Sequence, residues 1–553
     1  MNIATSQHGI DVDPVRIEIL RHALVAASEE MGVSIARTSR SNTIREMLDF
    51  STAIFDVNGE NVAQAARIPV HLNTMAPCLQ AVLADHLPAS DWNEGDVVIV
   101  NDPYCGGQHL PDITVFKAIF FEGEHIGFSG TMAHHADVGG GAAGSYNSSA
   151  ADIFAEGIRI PPLKIYERGE LNTSLMTFLS WNVRGADHFR GDLNSQIASL
   201  EIGARNVVKL AGKYGVDFMK AAYERILDQS EVAMRNAIRA VPDGEYRFEE
   251  WVDDDGVSDQ PFCVAATVIV DGDKLVIDMT GSSPQVAGSV NCTLNISKSC
   301  VFYAVMAGIG GGIAANSGCY RPVEVVAPEG TVVNCLFPAP VVNRILTGHR
   351  IVTAIFGALA SALPDRIPAA YYSITHCLAV EGLTDDGARP MMFDCEVGGW
   401  GGAPQGDGAS GFSCGLHNIS AVPLEMIEAG FPIRFHTFAL RPDSGGEGKH
   451  RGGLGLVKDW ELTGPSAVVA ASSDRTKFAP YGLAGGGEGK TGKASLTRKG
   501  KAAEPLPSKF VGLKLERGDR LRIETPGGGG WGPASERDEA ARDTDRRLGY
   551  TTR

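Results

Sequence analysis

Four residues in the first quarter of the chain have the types and spacing of a divalent-metal site, namely Asp49, His109, Asp112 and His134. Imidazole nitrogens mixed with carboxylate oxygens suit Zn²⁺, Mn²⁺ or Fe²⁺ better than Ca²⁺, which prefers oxygen ligands alone. Pro111 stiffens the short gap between His109 and Asp112, so one loop can aim both side chains at one point. The sequence does not distinguish among these three metals.

A predicted β-hairpin brings the third imidazole to this pair. Residues Ile113–Phe121 and His125–Met132 have the apolar character of strands, and the short turn between them contains Gly123. If the turn centres on this glycine, Asp112 and His134, each eleven residues away, face each other. Cross-strand partners have Cβ atoms about 4.5–5.5 Å apart, a separation that two ligands bonding one metal at ~2.1 Å can adopt.

Side chains alternate along a strand, so whichever histidine of the pair His134-His135 faces the carboxylate, the other points to the opposite side. Nearby polar residues could orient the metal ligands, and our candidates for this role are His71, Asp102 and His135. For each of them the alternative is a buried, hydrogen-bonded residue. For the whole cluster the alternative is a polar network without metal, in which Asp112 caps His109.

The elements that must position these residues give an α+β fold. Asp13-Pro14 opens a helix, a strand pair spans Asp49–Phe55 and Asn61–Gln64, and Asp192 is predicted to cap a long amphipathic helix. Strands follow residue 244, buried helices are expected over Ser299–Ile309 and Ile351–Leu363, and short strands alternate with glycine-rich turns after residue 436.

From these patterns we predict four regions. They are an N-terminal metal-binding α/β region (1–243), a central mixed α/β region (244–435), a β-rich and glycine-rich C-terminal region (436–534) and a charged tail (535–553). The glycines of this C-terminal region, including Gly452-Gly453 and Gly527–Gly530, are predicted to form turns. Ala484–Thr491 passes a relaxed P-loop pattern, but no strand precedes it and no helix follows, so we predict a turn without bound phosphate.

Composition excludes several classes of protein. The net charge of −17 is the opposite of what a nucleic-acid-binding surface needs. The first twelve residues lack the features of a signal peptide, and no apolar run is long enough to span a membrane. The ten cysteines form no Cys-x-x-Cys pair, which favours reduced thiols. We therefore expect a cytoplasmic protein that binds neither nucleic acid nor a membrane.

Long segments of the chain resemble the hydantoinase B family, which includes the second half of 5-oxoprolinase. The resemblance covers about residues 13–545. The segments that carry it are ARTSRSNTIREMLDFSTAIFD from Ala36, IPVHLNTM from Ile68, GDVVIVNDPYCGGQHLPDITV from Gly95, HHADVGG from His134, EGIRIPPLKIYERGELN from Glu156, GDLNSQIA from Gly191, DSGGEGKHRGGLG from Asp443 and TPGGGGWGP from Thr525.

The resemblance implies one half of a two-part enzyme. In this family a hydantoinase A-type subunit with an ATPase fold phosphorylates the substrate's carbonyl oxygen, using ATP and Mg²⁺, and the B-type subunit holds a divalent metal. Substrates are hydantoins, 5-oxoproline or lactams. The family's metal ligands match Asp49, His109, Asp112 and His134, which would act through a water bound to the metal. The chain has no fused ATPase domain, so the ATP site is expected on a separate partner in a hetero-oligomer.

Three other functions remain open. The chain could be a subunit of an ATP-dependent ketone carboxylase, a non-catalytic scaffold with a structural metal, or a metallohydrolase that needs no ATP. Carboxylase subunits of this type are longer, which favours amide hydrolysis. The segment VVNRILTGHR from Val341 departs from the family's usual wording, and because it could line the substrate cavity, the identity of the substrate stays open.

Overall fold

The structure is a computed structural model that describes residues 13–552. The signal-peptide prediction concerns residues outside this range. The first helix begins where Asp13-Pro14 predicts, with the Asp13 carboxylate accepting a hydrogen bond from the backbone N–H of Val15. A mixed α/β architecture with four sheets follows, which agrees with the predicted combination of helices and strands.

The first sheet has seven antiparallel strands and carries the candidate metal ligands. Its strand order is β2-β1-β5-β4-β3-β6-β7. The strands are β1 (Phe50–Phe55), β2 (Asn61–Gln64), β3 (Val97–Val100), β4 (Asp112–Phe121), β5 (Glu124–His134), β6 (Leu163–Glu167) and β7 (Glu170–Leu171). The helices of this part are α1 (Pro14–Thr38), α2 (Asn42–Arg45), α3 (Pro69–Ala81), α4 (Thr173–Trp181), α5 (Ala186–Tyr214) and α6 (Val216–Arg239).

Both faces of this sheet are covered. Helices α1 and α5 pack on one face and α3 packs on the other, each over a separate apolar cluster. Strand β3 is consequently buried along its whole length, which explains why its sequence is a continuous apolar run instead of an alternating one. Because both of its faces are buried, the sheet is a rigid support for the side chains at the ends of its strands.

The prediction that Asp192 caps a helix is wrong. Helix α5 begins six residues earlier, at Ala186, with Gly185 at its N-cap. The Asp192 carboxylate lies inside the helix and accepts hydrogen bonds from the backbone N–H groups of Arg40 (2.6 Å) and Ser41 (3.1 Å). These two donors belong to the turn before α2, so the acidic residue satisfies a distant backbone segment instead of its own helix end.

A second sheet has the order β11-β10-β9-β8. Its strands are β8 (Gly244–Val252), β9 (Phe262–Asp271), β10 (Lys274–Asp278) and β11 (Val323–Val326). Helix α7 (Leu294–Gly308) packs between α3 and the buried helix α8 (Arg344–Ala362). Both helices were predicted, but each begins several residues earlier than its apolar run suggests. Among residues 13–552, α8 alone is long and apolar enough to cross a membrane, and most of it is buried in the protein core.

Two further sheets complete the fold. The third, of order β13-β12-β16-β19, and the fourth, of order β14-β15-β20-β17-β18, are antiparallel. The third sheet joins strands from before and after residue 435. The elements in chain order are β12 (His376–Leu383), β13 (Met391–Glu396), α9 (Leu424–Gly430), β14 (Ile433–Leu440), β15 (Leu456–Leu462), β16 (Ser466–Ser472), β17 (Lys493–Thr497), β18 (Ala503–Leu506), β19 (Lys509–Glu516), β20 (Arg520–Glu524) and α10 (Glu539–Arg547).

Two glycine clusters of the C-terminal region, Gly452-Gly453 and Gly527–Gly530, are not turns, contrary to our prediction. The turn predicted within Ala484–Thr491 is present at Ala484-Gly485, where the N–H of Gly486 donates to the carbonyl of Leu483. Residues Gly527–Gly530 form an extended segment whose four N–H groups donate to carbonyls of three different segments, namely those of Lys490 and Gly487 in one segment, Gly453 in another and Ala370 in a third. Backbones pack here at distances that no side chain allows. A methyl group added at Gly528 would lie 2.0 Å from the carbonyl oxygen of Trp400. Glycine is therefore required for close backbone packing.

We expect Gly528→Ala to lower the free energy of unfolding by about 3 kcal/mol, because the new methyl group must displace rigid backbone. Gly487→Ala is the matched control, since its added methyl group would lie no closer than 3.4 Å to a neighbour. The control should change stability by less than about 0.5 kcal/mol. Thermal unfolding of the two variants beside the wild type measures the difference, and equal melting temperatures would contradict the packing argument.

Candidate metal centre

The β4–β5 hairpin places Asp112 directly opposite His134, as the sequence predicts. The predicted three-residue turn is nevertheless wrong. The strands pair as Phe121 with Glu124, so the turn has two residues, and both have positive φ. A bulge between Ile119 and Phe120 then shifts the register by one residue. The two differences cancel, and the two candidate ligands face each other at the far end of the hairpin.

The loop that carries His109 is held by Asn101. The Asn101 side-chain amide donates to the carbonyls of Leu110 (2.7 Å) and Ile158 (3.0 Å) and accepts from the N–H of Ile160 (2.7 Å). The two polar atoms of this buried side chain thus fix backbone on both sides of the loop through three hydrogen bonds. The His109 imidazole is consequently presented at one defined position, fully buried.

The hydrogen bonds of His109 leave one ring nitrogen unpaired beside Asp112. Its Nδ1 lies 3.2 Å from the carbonyl of Val342, which can only accept, so Nδ1 carries the proton. Burial lowers the pKa of His109 to about 4, and Arg344 adds to this effect. The neutral ring therefore turns the lone pair of Nε2 toward Asp112 Oδ1, 3.0 Å away. Neither of these two acceptors has a hydrogen-bond partner.

His134 adds two more unpaired nitrogens to the same place. Neither Nδ1 nor Nε2 of this buried ring makes a hydrogen bond. Burial also holds its pKa well below the usual range, so the ring is neutral and ready to bind a metal without releasing a proton. Phe393 stacks on the ring at a centroid distance of 4.8 Å, and Tyr146 lies 4.9 Å from Phe393. Ligand atoms of His109, Asp112 and His134 all lie within 4.8 Å of one another.

Asp49 and His71 line the same small cavity. His71 Nε2 lies between two carboxylates, 3.6 Å from Asp49 Oδ1 and 3.6 Å from Asp112 Oδ2. Burial raises the pKa of Asp49 to about 6, although His71 and Arg344 oppose the shift. The carboxylates of Asp49 and Asp112 lie close together, and the neutral rings of His109 and His134 do not offset their negative charge. A divalent cation would stabilise this arrangement.

Arg344 is a member of the site that the sequence did not single out. It is the first residue of α8, and its Nη2 donates to Asp112 Oδ2 (2.8 Å) and to Gln108 Oε1 (2.9 Å). Burial alone would raise the pKa of Asp112, but His109, His71 and Arg344 together hold it well below its ordinary range. The Nε atom of this buried guanidinium has no hydrogen-bond partner. It is a charged donor beside the cavity, available to an oxygen of a bound molecule.

The structure does not bring the other two orienting candidates to the cavity. The Asp102 carboxylate accepts hydrogen bonds from the N–H of Tyr104 (3.0 Å) and from Arg159 Nη2 (2.6 Å), on the outer side of the loop. His135 points away from Asp112, because it is next to His134 on the strand, and its Nε2 lies 2.9 Å from Gln196 Oε1. Asp102 and His135 are therefore buried, hydrogen-bonded residues, which is the alternative that we gave for each of them.

Arg344, Tyr146 and His417 line the cavity without having been proposed from the sequence. Arg344 belongs to the segment from Val341 that departs from the family's wording, and this was the one signal that pointed to it. The other two have no local signature, since they come from loops that only the fold brings near the hairpin.

Residues 13–534 match the family described as hydantoinase B/oxoprolinase. The chain is 36% identical over 530 residues to an uncharacterized protein of Methanocaldococcus jannaschii, covering 95% of this chain and 92% of that protein. It is 30% identical over 558 residues to the caprolactamase subunit beta of Pseudomonas jessenii, covering 98% of this chain and 94% of that protein.

Two solved structures share the fold. The crystal structure of ATP-dependent caprolactamase from Pseudomonas jessenii gives a TM-score of 0.91 at 28% identity, over 98% of this chain and 95% of that chain. Acetone carboxylase in its nucleotide-free form gives a TM-score of 0.90 at 18% identity, over 98% of this chain and 78% of that chain, which is a likeness of fold alone.

Proposed function

Because the chain belongs to the hydantoinase B/oxoprolinase family, we propose that it is the metal-binding hydrolytic subunit of an ATP-dependent cyclic-amide hydrolase. Its substrate would be a hydantoin, 5-oxoproline or a lactam. The observation that carries this proposal is the pair of facing atoms His109 Nε2 and Asp112 Oδ1, which are buried 3.0 Å apart and have no hydrogen-bond partner. A polar network without metal leaves both unsatisfied, at a cost of about 1–3 kcal/mol for each group.

We assign Asp49, His109, Asp112 and His134 as the residues that hold one divalent ion, which is Zn²⁺, Mn²⁺ or Fe²⁺. An ion bound there would supply Lewis acidity, which polarises a carbonyl oxygen and lowers the pKa of water. The protein's own contribution is to keep both imidazoles neutral, to keep Asp112 ionised through Arg344, and to exclude bulk water with Phe393 and Tyr146.

The partner we propose is a hydantoinase A-type ATPase subunit that supplies ATP and Mg²⁺. The beta-subunit name of the Pseudomonas jessenii relative supports a division of labour between chains. The P-loop-like segment Ala484–Thr491 supports it as well, because it is followed by strand β17 instead of a helix. Without a helix N-terminus, the segment lacks the donors that cradle a nucleotide phosphate.

The experiment combines this chain with an A-type subunit, ATP and Mg²⁺, and measures ring-opened product from hydantoin, 5-oxoproline and caprolactam. Parallel reactions with acetone, acetophenone and labelled bicarbonate test the carboxylase alternative. We include them because the chain shares its fold with acetone carboxylase. We expect ring-opened product and no labelled carboxylic acid. Carboxylation without ring opening would show that the chain is a carboxylase subunit instead. If a metal-loaded complex formed neither product, a non-catalytic scaffold subunit would become the better description.

A further inference from the structure

A buried chain of hydrogen bonds ends at the metal cavity and has no role in the function described so far. His349 Nδ1 lies 2.9 Å from the hydroxyl of Tyr371, and His349 Nε2 lies 3.1 Å from Thr375 Oγ1. Thr375 Oγ1 in turn bonds His417 Nδ1. Tyr371, His349 and Thr375 are each at most 2% exposed, whereas His417 lines the cavity together with Asp49, His109, Asp112 and His134.

The direction of this chain follows from the hydroxyl of Tyr371. Its only hydrogen-bond partner among the described residues is His349 Nδ1, so the buried O–H must donate there. Burial holds the pKa of His349 well below its usual range, so this neutral ring carries its one proton on Nε2 and donates it to Thr375 Oγ1. The Thr375 hydroxyl can then donate only to His417 Nδ1.

His417 is therefore fixed in one tautomer. Because Nδ1 of this ring accepts the Thr375 hydroxyl, the ring proton lies on Nε2. That nitrogen makes no hydrogen bond to any residue between 13 and 552. An N–H group that is free and faces a cavity with metal ligands can donate to an oxygen atom, but it cannot bind a metal.

Two of these residues also belong to a group with the spacing of a second metal site, because ligand atoms of His349, Cys414 and His417 lie within 4.8 Å of one another. Two observations oppose that reading. Both nitrogens of His349 already have hydrogen-bond partners. The sulfur of Cys414 lies 4.0 Å from His349 Nδ1 and 3.9 Å from Nε2, so it is aligned with neither lone pair. These residues serve to orient His417.

We propose that His417 is a catalytic residue that donates its Nε2–H to an oxygen of the molecule bound at the metal centre, and that Thr375, His349 and Tyr371 are positioning residues that fix its tautomer. Resting on the proposed function, this oxygen is the carbonyl or phosphoryl oxygen of the activated cyclic amide. A neutral donor placed before the substrate arrives stabilises developing negative charge without reorganisation, and one such donor contributes about 10²–10³-fold to kcat. Arg344 Nε–H would be the second donor to the same region.

A binding test avoids the need for turnover. The full-length chain, loaded with Zn²⁺, is titrated with acetohydroxamate, whose oxygens bind a metal and accept a hydrogen bond. We expect His417→Ala to weaken binding about tenfold while zinc content stays at the wild-type level. Thr375→Val removes the hydroxyl at nearly constant shape and should weaken binding by a similar factor. Thr375→Ser keeps the hydroxyl and should restore affinity to within about twofold of the wild type.

His436→Ala is the matched control, because this histidine lies on β14 and pairs with Glu461 outside the site. It should bind acetohydroxamate like the wild type. Zinc loss in His417→Ala, unchanged affinity in both His417→Ala and Thr375→Val, or a wild-type chain that binds no acetohydroxamate would each overturn the inference. In the reconstituted enzyme, His417→Ala should lower kcat about 10²-fold with KM changed less than about threefold. The titration needs neither ATP nor a partner subunit. Its result can therefore be interpreted even if the reconstituted enzyme does not open cyclic amides.

Discussion

Ring opening by the reconstituted complex should fall below detection when ATP is omitted, a loss of at least roughly 10⁴-fold. A hydantoin or lactam amide is resonance-stabilised and is a poor electrophile, whereas phosphorylation of its carbonyl oxygen creates a good leaving group. Each 1.36 kcal/mol of barrier is tenfold in rate, so this factor corresponds to about 5 kcal/mol. Four buried residues around one ion do not remove that barrier, since they leave the amide resonance intact.

The measurement is ring-opened product and ADP from the same reaction, with and without ATP and with each subunit alone. We expect product and ADP only when both subunits and ATP are present. Asp112→Ala in the complex should abolish product while ATP binding by the partner persists, because the nucleotide site that we propose belongs to the partner subunit. Equal product with and without ATP would refute activation and leave a metallohydrolase that acts alone.

The second large effect concerns metal content. His109→Ala should reduce the bound metal from one ion per chain to a small fraction of that value, and it should lower the affinity by at least about 100-fold. The substitution removes the Nε2 lone pair that faces Asp112 Oδ1 at 3.0 Å. The remaining ligand atoms of Asp112 and His134 then lack the third member of their cluster. Elemental analysis after dialysis against a weak chelator gives the stoichiometry directly.

His125→Ala provides the matched control for this measurement. His125 lies on the same hairpin, but its Nε2 contacts the carbonyl of Gly127 near the turn, at the opposite end from the site. The control should keep its full metal content. If the His109 variant also keeps its full content, the ligand assignment is wrong, and the polar network that we considered as the alternative becomes the better description.

The sequence determined the composition of the site and most of the hairpin that supports it. Apolar runs bounded by turn residues identified the strands β4 and β5 with errors of one or two residues at their ends. Side-chain alternation separated His134 from His135, and the structure has them on opposite sides. These features follow from local backbone geometry, which each segment carries in its own residues.

Residues from distant segments could not be placed in this way. Arg344 meets Asp112 across 232 positions of sequence, and Thr375 meets His417 across 42. Neither pair has a local pattern, since the contact exists only after α8 and the third sheet have packed against the first. The turn prediction for residues 527–530 was wrong for the same reason. A glycine in a turn and a glycine in close-packed extended backbone look identical in the sequence.

The register of the hairpin depends on a bulge that the sequence did not predict. The two-residue turn at Glu122-Gly123 would by itself pair Asp112 with Ala133 and turn His134 to the wrong face. The bulge opposite Ile119 restores the pairing with His134. Next to the bulge lies Gly127, which has a φ of +145°. A methyl group added there would lie 2.4 Å from the carbonyl oxygen of Phe55 on the neighbouring strand β1. The sequence therefore identified the candidate ligand residues, whereas the pairing of Asp112 with His134 required the folded sheet with its neighbouring strand.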